Sequence, residues 1–195
     1  IEVIYDNRLV GRLALTKEGL CAFEYSAEWL GSGFSISPFE LPLRSGVFIA
    51  KPRPFEGGFG VFDDCLPDGW GLLILDRYLQ QKGINPRTLT LLDRLALVGS
   101  TGRGALEFRP DNSVITRKDY VDFEKLALEA EQILDSDDYR GEGIEEFQDR
   151  GGSPGGARPK IFVRYDNKEW LVKFRAKRDP HNIGIDEYRL SLIHI

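Results

Sequence analysis

The chain has 195 residues, of which 42% are hydrophobic and 29% charged, and its formal net charge is −5. This composition supports a folded core in one domain or two small ones. No apolar run approaches the roughly 20 residues that cross a bilayer, and the N-terminus lacks the basic-then-apolar order of a signal peptide. We therefore expect a cytoplasmic protein that has no contact with a membrane.

The two cysteines, Cys21 and Cys65, lie far apart among apolar neighbours. This setting favours buried thiols over a disulfide, and two cysteines without histidine partners do not make a zinc site. We expect no metal bound by this chain.

The first 25 residues have the pattern of a small antiparallel sheet. Residues 1–5 and 9–15 alternate roughly with period two on either side of Asp6-Asn7-Arg8, which predicts a hairpin. Residues 22–25 continue the same pattern and predict a third strand.

Two helices should follow this sheet. The first begins at Pro67-Asp68, with Asp68 as N-cap, and ends at Gly83, because its apolar residues have helical spacing between a capping acid and a stop glycine. The second is short and covers Leu89 to Leu97.

A glycine-rich stretch, Gly99 to Gly104, precedes the apolar residues Leu106 and Phe108. Taken alone it has the composition of a phosphate loop. Because no strand lysine and later acid follow it, we interpret it as a turn that leads Leu106 and Phe108 into the sheet.

Apolar residues between Tyr120 and Leu134 recur at helical spacing and predict an amphipathic connector helix. The acidic stretch from Asp135 to Asp149 is interpreted as a solvated loop, with binding of a basic partner as the alternative. Residues 151–195 carry nine Lys or Arg against five Asp or Glu, a balance of +4 that leaves −9 for residues 1–150. Because residues 1–150, the larger part of the chain, are negatively charged, we do not expect the chain to bind DNA directly.

A second glycine-rich stretch, Gly151 to Lys160, runs directly into the apolar residues Ile161-Phe162-Val163. Composition alone would make it a linker, but backbone N–H groups of such a turn can also surround a phosphate. It is not a Walker A motif, because no Ser or Thr follows Lys160. Lys173 stands inside the next strand-like run and Glu187 follows it, which is the order of a kinase N-lobe, where an acid holds the lysine against nucleotide phosphates.

Ser153-Pro154-Gly155-Gly156-Ala157-Arg158-Pro159-Lys160 resembles the phosphate loop of the HipA-type serine/threonine kinases, toxins of bacterial toxin–antitoxin pairs, which carry Ser-x-x-Gly-Ala-x-x-Lys there. Further blocks resemble that family in the same order along the chain: residues 23–30, 41–43, 62–69 and 91–99. The resemblance spans most of the chain.

The resemblance implies the roles of the site residues. Gly155, Gly156, Ala157, Arg158, Pro159, Lys160 and Lys173 would bind ATP, Glu187 would pair with Lys173, and Ser153 would be autophosphorylated, which inactivates the enzyme. Arg158-Pro159 departs from the Gln-Glu of the best-known members, and the proline removes one backbone donor.

The fold class predicted is α+β. Residues 1–112 would form a β-rich N-terminal subdomain with short helices, 113–150 a helical and acidic connector, and 151–195 the start of a protein-kinase-like N-lobe sheet. The chain contains no methionine and stops soon after a predicted helix start. We therefore expect it to be part of a longer product whose C-lobe carries the catalytic and magnesium-binding aspartates, and to be inactive alone.

For the full-length kinase the resemblance implies ATP and Mg²⁺ as cofactors and a protein serine or threonine as substrate. The best-known target of the family is an aminoacyl-tRNA synthetase, the glutamyl enzyme. The implied partner is a helix-turn-helix antitoxin of the HipB type, through which any contact with DNA would be indirect. The alternative is a non-catalytic interaction module of a split toxin–antitoxin system, which would need neither the loop nor Lys173.

Overall fold

The computed structural model describes residues 1–113, 121–136, 139–151, 156–176 and 178–192. The strands in these ranges are β1 (Glu2–Tyr5), β2 (Arg8–Leu15), β3 (Cys21–Tyr25), β4 (Val47–Ile49), β5 (Glu107–Arg109), β6 (Lys160–Tyr165) and β7 (Lys168–Lys173). The helices are α1 (Ala27–Ser32), α2 (Gly60–Asp63), α3 (Gly69–Gln81), α4 (Leu91–Val98), α5 (Phe123–Asp135), α6 (Gly143–Gly151) and α7 (Ile183–Ser191), with a 3₁₀ turn at Pro86–Thr88. Helices and antiparallel strands together confirm the predicted α+β class.

The first sheet has five strands in the order β4-β3-β2-β1-β5, all antiparallel. Asp6 and Asn7 both have positive φ, 47° and 59°, which is the conformation of a tight hairpin turn between β1 and β2. The predicted hairpin and third strand are confirmed. β5 pairs with β1 and places Phe108 opposite Val3, so the stretch from Gly99 does lead into the sheet.

One face of this sheet is covered by α1, α2 and α4. Period-two alternation along β3 turns Cys21, Phe23 and Tyr25 inward, where they meet Trp29 of α1 and Phe62 of α2. These five residues are at most 4% exposed. They form the first core of the molecule.

The two predicted helices are present near their expected limits. α3 begins after Asp68 in the N-cap position, and Gly83 has φ +77°, the left-handed conformation that ends helices at glycine. α4 begins after Thr90, whose hydroxyl accepts from the N–H of Asp93 while the Asp93 carboxylate accepts from the N–H of Thr90.

A second core lies between the antiparallel hairpin β6–β7 and the helices α3, α5 and α6. The predicted amphipathic helix is confirmed as α5. Its buried residues Leu126, Ala130 and Ile133 recur at helical spacing. Trp70 and Ile74 of α3 belong to this second core although α3 lies within the first 112 residues.

The prediction of a solvated loop from Asp135 to Asp149 is wrong for its second half. α6 begins at Gly143 and buries Ile144 and Phe147 completely. Glu145 and Glu146 in its first turn are favoured there, because the N-terminus of a helix carries partial positive charge. The many acidic residues of this segment led the sequence analysis to miss an amphipathic helix, whose buried apolar residues are three positions apart. None of the helices in the described ranges is long and apolar enough to cross a membrane.

Candidate anion-binding site

The hairpin β6–β7 places two lysines directly opposite each other. Asp166 and Asn167 connect the strands with φ of 50° and 55°, and the resulting register pairs Lys160 with Lys173. Side chains of directly opposed residues share one face of the sheet with Cβ atoms roughly 5 Å apart, and like charges in this arrangement repel. The hairpin thus concentrates positive charge at the end where the glycine-rich loop enters it.

Lys160 is a buried cation, only 6% exposed. Its Nζ atom lies 3.4 Å from the carbonyl oxygen of Gly156, at the base of the loop. Burial lowers the pKa of Lys160, and the charge of Lys173 lowers it further, while Asp68 and Glu187 act in the opposite sense. An anion at this position would stabilise the protonated lysine.

Lys173 forms an ion pair with Glu187. The Nζ atom lies 3.0 Å from Oε2 of Glu187, which α7 carries back to the end of β7. The hydrogen bond from Lys173 is the largest cause of a lowered pKa of Glu187, so this carboxylate stays charged at neutral pH. The structure therefore brings together the strand lysine and the later acid that the sequence singled out.

Arg158 holds the same carboxylate from the loop. Its Nη1 lies 2.9 Å from Oε1 of Glu187, and its Nη2 lies 3.1 Å from Oδ1 of Asp179. The other oxygen of Asp179 accepts from the N–H of Ala176 at 3.0 Å, which fixes this carboxylate. In this structure both guanidinium arms of Arg158 contact carboxylates, so Arg158 positions Glu187. Sequence reasoning missed Asp179, which belongs to no motif.

The loop itself is described from Gly156 onward. Ser153 and Gly155 lie outside the described residues, and their predicted roles stay predictions. Ala157 is exposed, and Pro159 is buried with its carbonyl accepting from the N–H of Phe174 at 2.8 Å. This bond extends the β6–β7 pairing by one step and anchors the loop to the sheet.

Gly156 has φ +90°, a conformation that favours glycine. Its N–H donates to Oδ1 of Asp68 at 2.8 Å, and its carbonyl accepts from the N–H of Trp70 at 3.0 Å. Asp68 occupies the predicted N-cap position, but its side chain makes no capping bond to α3. Because Asp68 and Gly156 are 88 positions apart in the sequence, no local sequence pattern could have shown this contact.

Arg103 links the other glycine-rich stretch to the hairpin. Its guanidinium carbon lies 3.3 Å from the ring centroid of Phe162 on β6, and its Nη1 lies 2.7 Å from Oε2 of Glu169 on β7. A cation over an aromatic face is attracted by the ring quadrupole. The first glycine-rich stretch thus contacts the hairpin that carries the lysines.

The group formed by Arg158, Lys160, Lys173 and Glu187 sets two ammonium groups beside a glycine-containing loop and orients one of them with a carboxylate. An arrangement of this kind can bind an anion such as phosphate. Within the described ranges, no three His, Cys, Asp or Glu side chains are placed to hold a metal ion. We assign no magnesium ligand there.

A family model described as the HipA N-terminal domain matches residues 1–109, more than half of the chain. No curated protein matches the sequence. The chain is also similar in structure to a chain in the solved complex of HipA, HipB and their operator DNA from Shewanella oneidensis MR-1. That similarity has a TM-score of 0.50 at 20% identity and covers 90% of this chain. The chain spans 38% of the length of that relative.

Proposed function

Since the chain belongs to the HipA family, we propose that it is the N-terminal part of a serine/threonine protein kinase that transfers the γ-phosphate of ATP to a protein. The group formed by Arg158, Lys160, Lys173 and Glu187 is its nucleotide-phosphate site. ATP supplies the phosphoryl group, and the residues of this chain bind and orient the triphosphate.

The opposition of Lys160 and Lys173 is the observation that carries this proposal. Two lysines in register across a hairpin repel each other, and a triphosphate between them relieves that repulsion. Glu187 orients Lys173, as the acid of a kinase N-lobe orients the strand lysine. Arg158 keeps Glu187 in place from the loop side.

The remaining roles follow from the family. Gly155, Gly156 and Ala157 let the backbone approach the phosphates, and Ser153 is the site of autophosphorylation, whose added charge would expel the nucleotide. Catalysis of phosphoryl transfer rests on metal-held charge and positioning. Among the residues that the structure describes we assign no catalytic aspartate or magnesium ligand. We therefore expect no phosphotransfer by this chain alone.

The partner we propose is an antitoxin of the HipB type. The similar structure from Shewanella oneidensis MR-1 is a complex of HipA, HipB and operator DNA. This supports our proposal of a protein partner through which the chain would contact DNA indirectly. The substrate we propose is a serine or threonine of a protein, in the class of the aminoacyl-tRNA synthetases.

The test is ATP binding by the chain, measured by calorimetry, with Lys173→Ala compared to Lys168→Ala. Lys168 is an exposed lysine on the same strand, about 17 Å from Lys173 at the other end of β7. We expect Lys173→Ala to weaken binding at least tenfold, about 1.4 kcal/mol, and Lys168→Ala to leave it unchanged. Equal affinities of both variants would exclude Lys173 as the nucleotide lysine. No binding by the unaltered chain would favour the alternative, a non-catalytic interaction module.

A further inference from the structure

We infer that the first turn of α3, residues Asp68, Gly69 and Trp70, seats the phosphate loop, and that Asp68 is a positioning residue for nucleotide binding. The HipA N-terminal part of the chain would then set the affinity of a site whose lysines lie beyond residue 109. This inference rests on the proposed function for its nucleotide role, whereas the seating of the loop can be tested without nucleotide.

The peptide groups on both sides of Gly156 are held by α3. The N–H of Gly156 donates to Asp68 at 2.8 Å, and its carbonyl accepts from the N–H of Trp70 at 3.0 Å. Both backbone hydrogen-bonding groups of Gly156 are therefore fixed by two residues that lie two positions apart at the start of α3. The same carbonyl oxygen lies 3.4 Å from Nζ of Lys160. Gly156 therefore contacts both the start of α3 and the buried lysine of the site.

The geometry of Asp68 is accounted for by the loop and not by its own helix. An aspartate in the N-cap position normally accepts from an N–H of the first helical turn. Asp68 has the extended backbone of an N-cap, with φ −119° and ψ 171°, but its side chain makes no such bond. Its carboxylate is used on Gly156 instead.

Gly69 permits the close approach of helix and loop. Its φ is +46°, and a Cβ at this position would lie 2.7 Å from the carbonyl carbon and oxygen of Gly156 and 3.0 Å from the nitrogen of Ala157. These atoms are backbone, so a side chain here forces helix and loop apart. Any larger residue at position 69 should unseat the loop without touching the carboxylate of Asp68.

Trp70 makes the seat rigid. It is 1% exposed, and its ring packs edge to face against Phe147 with centroids 5.1 Å apart. Phe147 in turn packs against Phe174, the residue after Lys173, at 5.8 Å. The start of α3 is thus packed into the second core, which also contains the residue that follows Lys173.

Arg103 makes a second, separate set of contacts with the β6–β7 hairpin. Its contacts with Phe162 and Glu169 connect the region before β5 to both strands. Two separate elements of the first 109 residues therefore hold the loop and the hairpin in place.

The expected change in ATP affinity follows from the conformational entropy that the loop loses when a triphosphate binds. A loop already fixed at Gly156 loses less conformational freedom when a triphosphate binds, so removal of the seat should weaken binding. The negative charge of Asp68 acts in the opposite sense, because it repels phosphate. Asp68→Asn keeps a hydrogen-bond acceptor without the charge and separates the two effects.

The experiment measures two quantities in the 195-residue chain: amide hydrogen exchange of Gly156 by NMR without nucleotide, and the dissociation constant of ATP. We expect Asp68→Ala to speed exchange at Gly156 at least tenfold and to weaken ATP binding about tenfold. Asp68→Asn should stay near the parent in exchange, and its ATP binding should be no weaker than the parent's. Gly69→Ala should reproduce Asp68→Ala. Asp64→Ala is the control, since Asp64 is an exposed acid that makes none of these contacts.

Unchanged exchange at Gly156 in both Asp68→Ala and Gly69→Ala would overturn the seating of the loop. Faster exchange with equal or tighter ATP binding in Asp68→Ala would overturn the positioning role of Asp68. If the parent chain binds no ATP, the proposed function fails and the nucleotide role fails with it, while the exchange at Gly156 still decides whether α3 seats the loop.

Discussion

Glu187 lies with one carboxylate oxygen 3.0 Å from the Nζ atom of Lys173, although the two residues are 14 positions apart in the sequence. The other oxygen contacts Arg158 of the loop. One acid on α7 thus connects a strand lysine to the glycine-rich loop. Its charge state decides whether this connection exists, and that charge state can be measured.

The carboxyl of Glu187 should titrate below its ordinary value of 4.5, because the hydrogen bond from Lys173 stabilises the charged form. For an acid whose pKa is lowered in the folded state, the stabilising contribution is present above the ordinary value and is lost as pH falls through the folded value. Carbon NMR of the side chain should show this midpoint. Lys173→Ala should raise it toward 4.5, and Lys168→Ala should leave it unchanged. A midpoint unaffected by Lys173→Ala would show that the ion pair is not formed in solution.

Phe147→Ala should destabilise the chain by about 3–5 kcal/mol, because the ring is completely buried between Trp70 and Phe174 and its loss leaves a cavity. The matched control is Phe39→Ala, since Phe39 is 99% exposed. Its effect should stay within about 0.5 kcal/mol. Urea unfolding followed by tryptophan fluorescence measures both. Similar small effects for the two variants would restore the interpretation of residues 143–149 as a solvated loop.

The two cysteines should react slowly with a disulfide reagent at pH 8 while the chain is folded. Both are free thiols, Cys21 buried and Cys65 partly buried. Burial raises the pKa of both, that of Cys65 to about 11. Only about one Cys65 in a thousand is then the nucleophilic thiolate at pH 8. Both thiols should react rapidly in urea, and rapid reaction of either in the native chain would contradict its described environment.

Features set by a few neighbouring residues could be predicted from the sequence. The Asp6-Asn7 turn, the limits of α3 and α4 and the apolar face of α5 depend on contacts within one turn or hairpin, so their patterns are visible locally. The order of loop, strand lysine and later acid was visible for the same reason. The roles of these residues are implied by the family resemblance and stay predictions.

What escaped prediction depends on tertiary contacts. Asp68 has the sequence context of an ordinary N-cap, and only the folded chain shows that its carboxylate meets Gly156. Arg158 departs from the family pattern, and only the folded chain shows that its guanidinium contacts two carboxylates. α6 was missed because its nine mostly polar residues contain two buried apolar positions, Ile144 and Phe147, in a helix that packs against α3, α5 and β6.

The most direct test of the proposed nucleotide-phosphate site is lysine labelling by an ATP analogue that carries an acyl group on its terminal phosphate. A lysine amine beside the phosphates attacks the acyl carbonyl, takes the acyl group and releases ATP. Mass spectrometry should find the label on Lys160, whose lowered pKa supplies more of the neutral amine, and on Lys173. Excess ATP should prevent labelling of both, with little label on Lys168. Equal labelling of Lys168, Lys160 and Lys173 that excess ATP does not reduce would contradict a nucleotide-phosphate site at this hairpin.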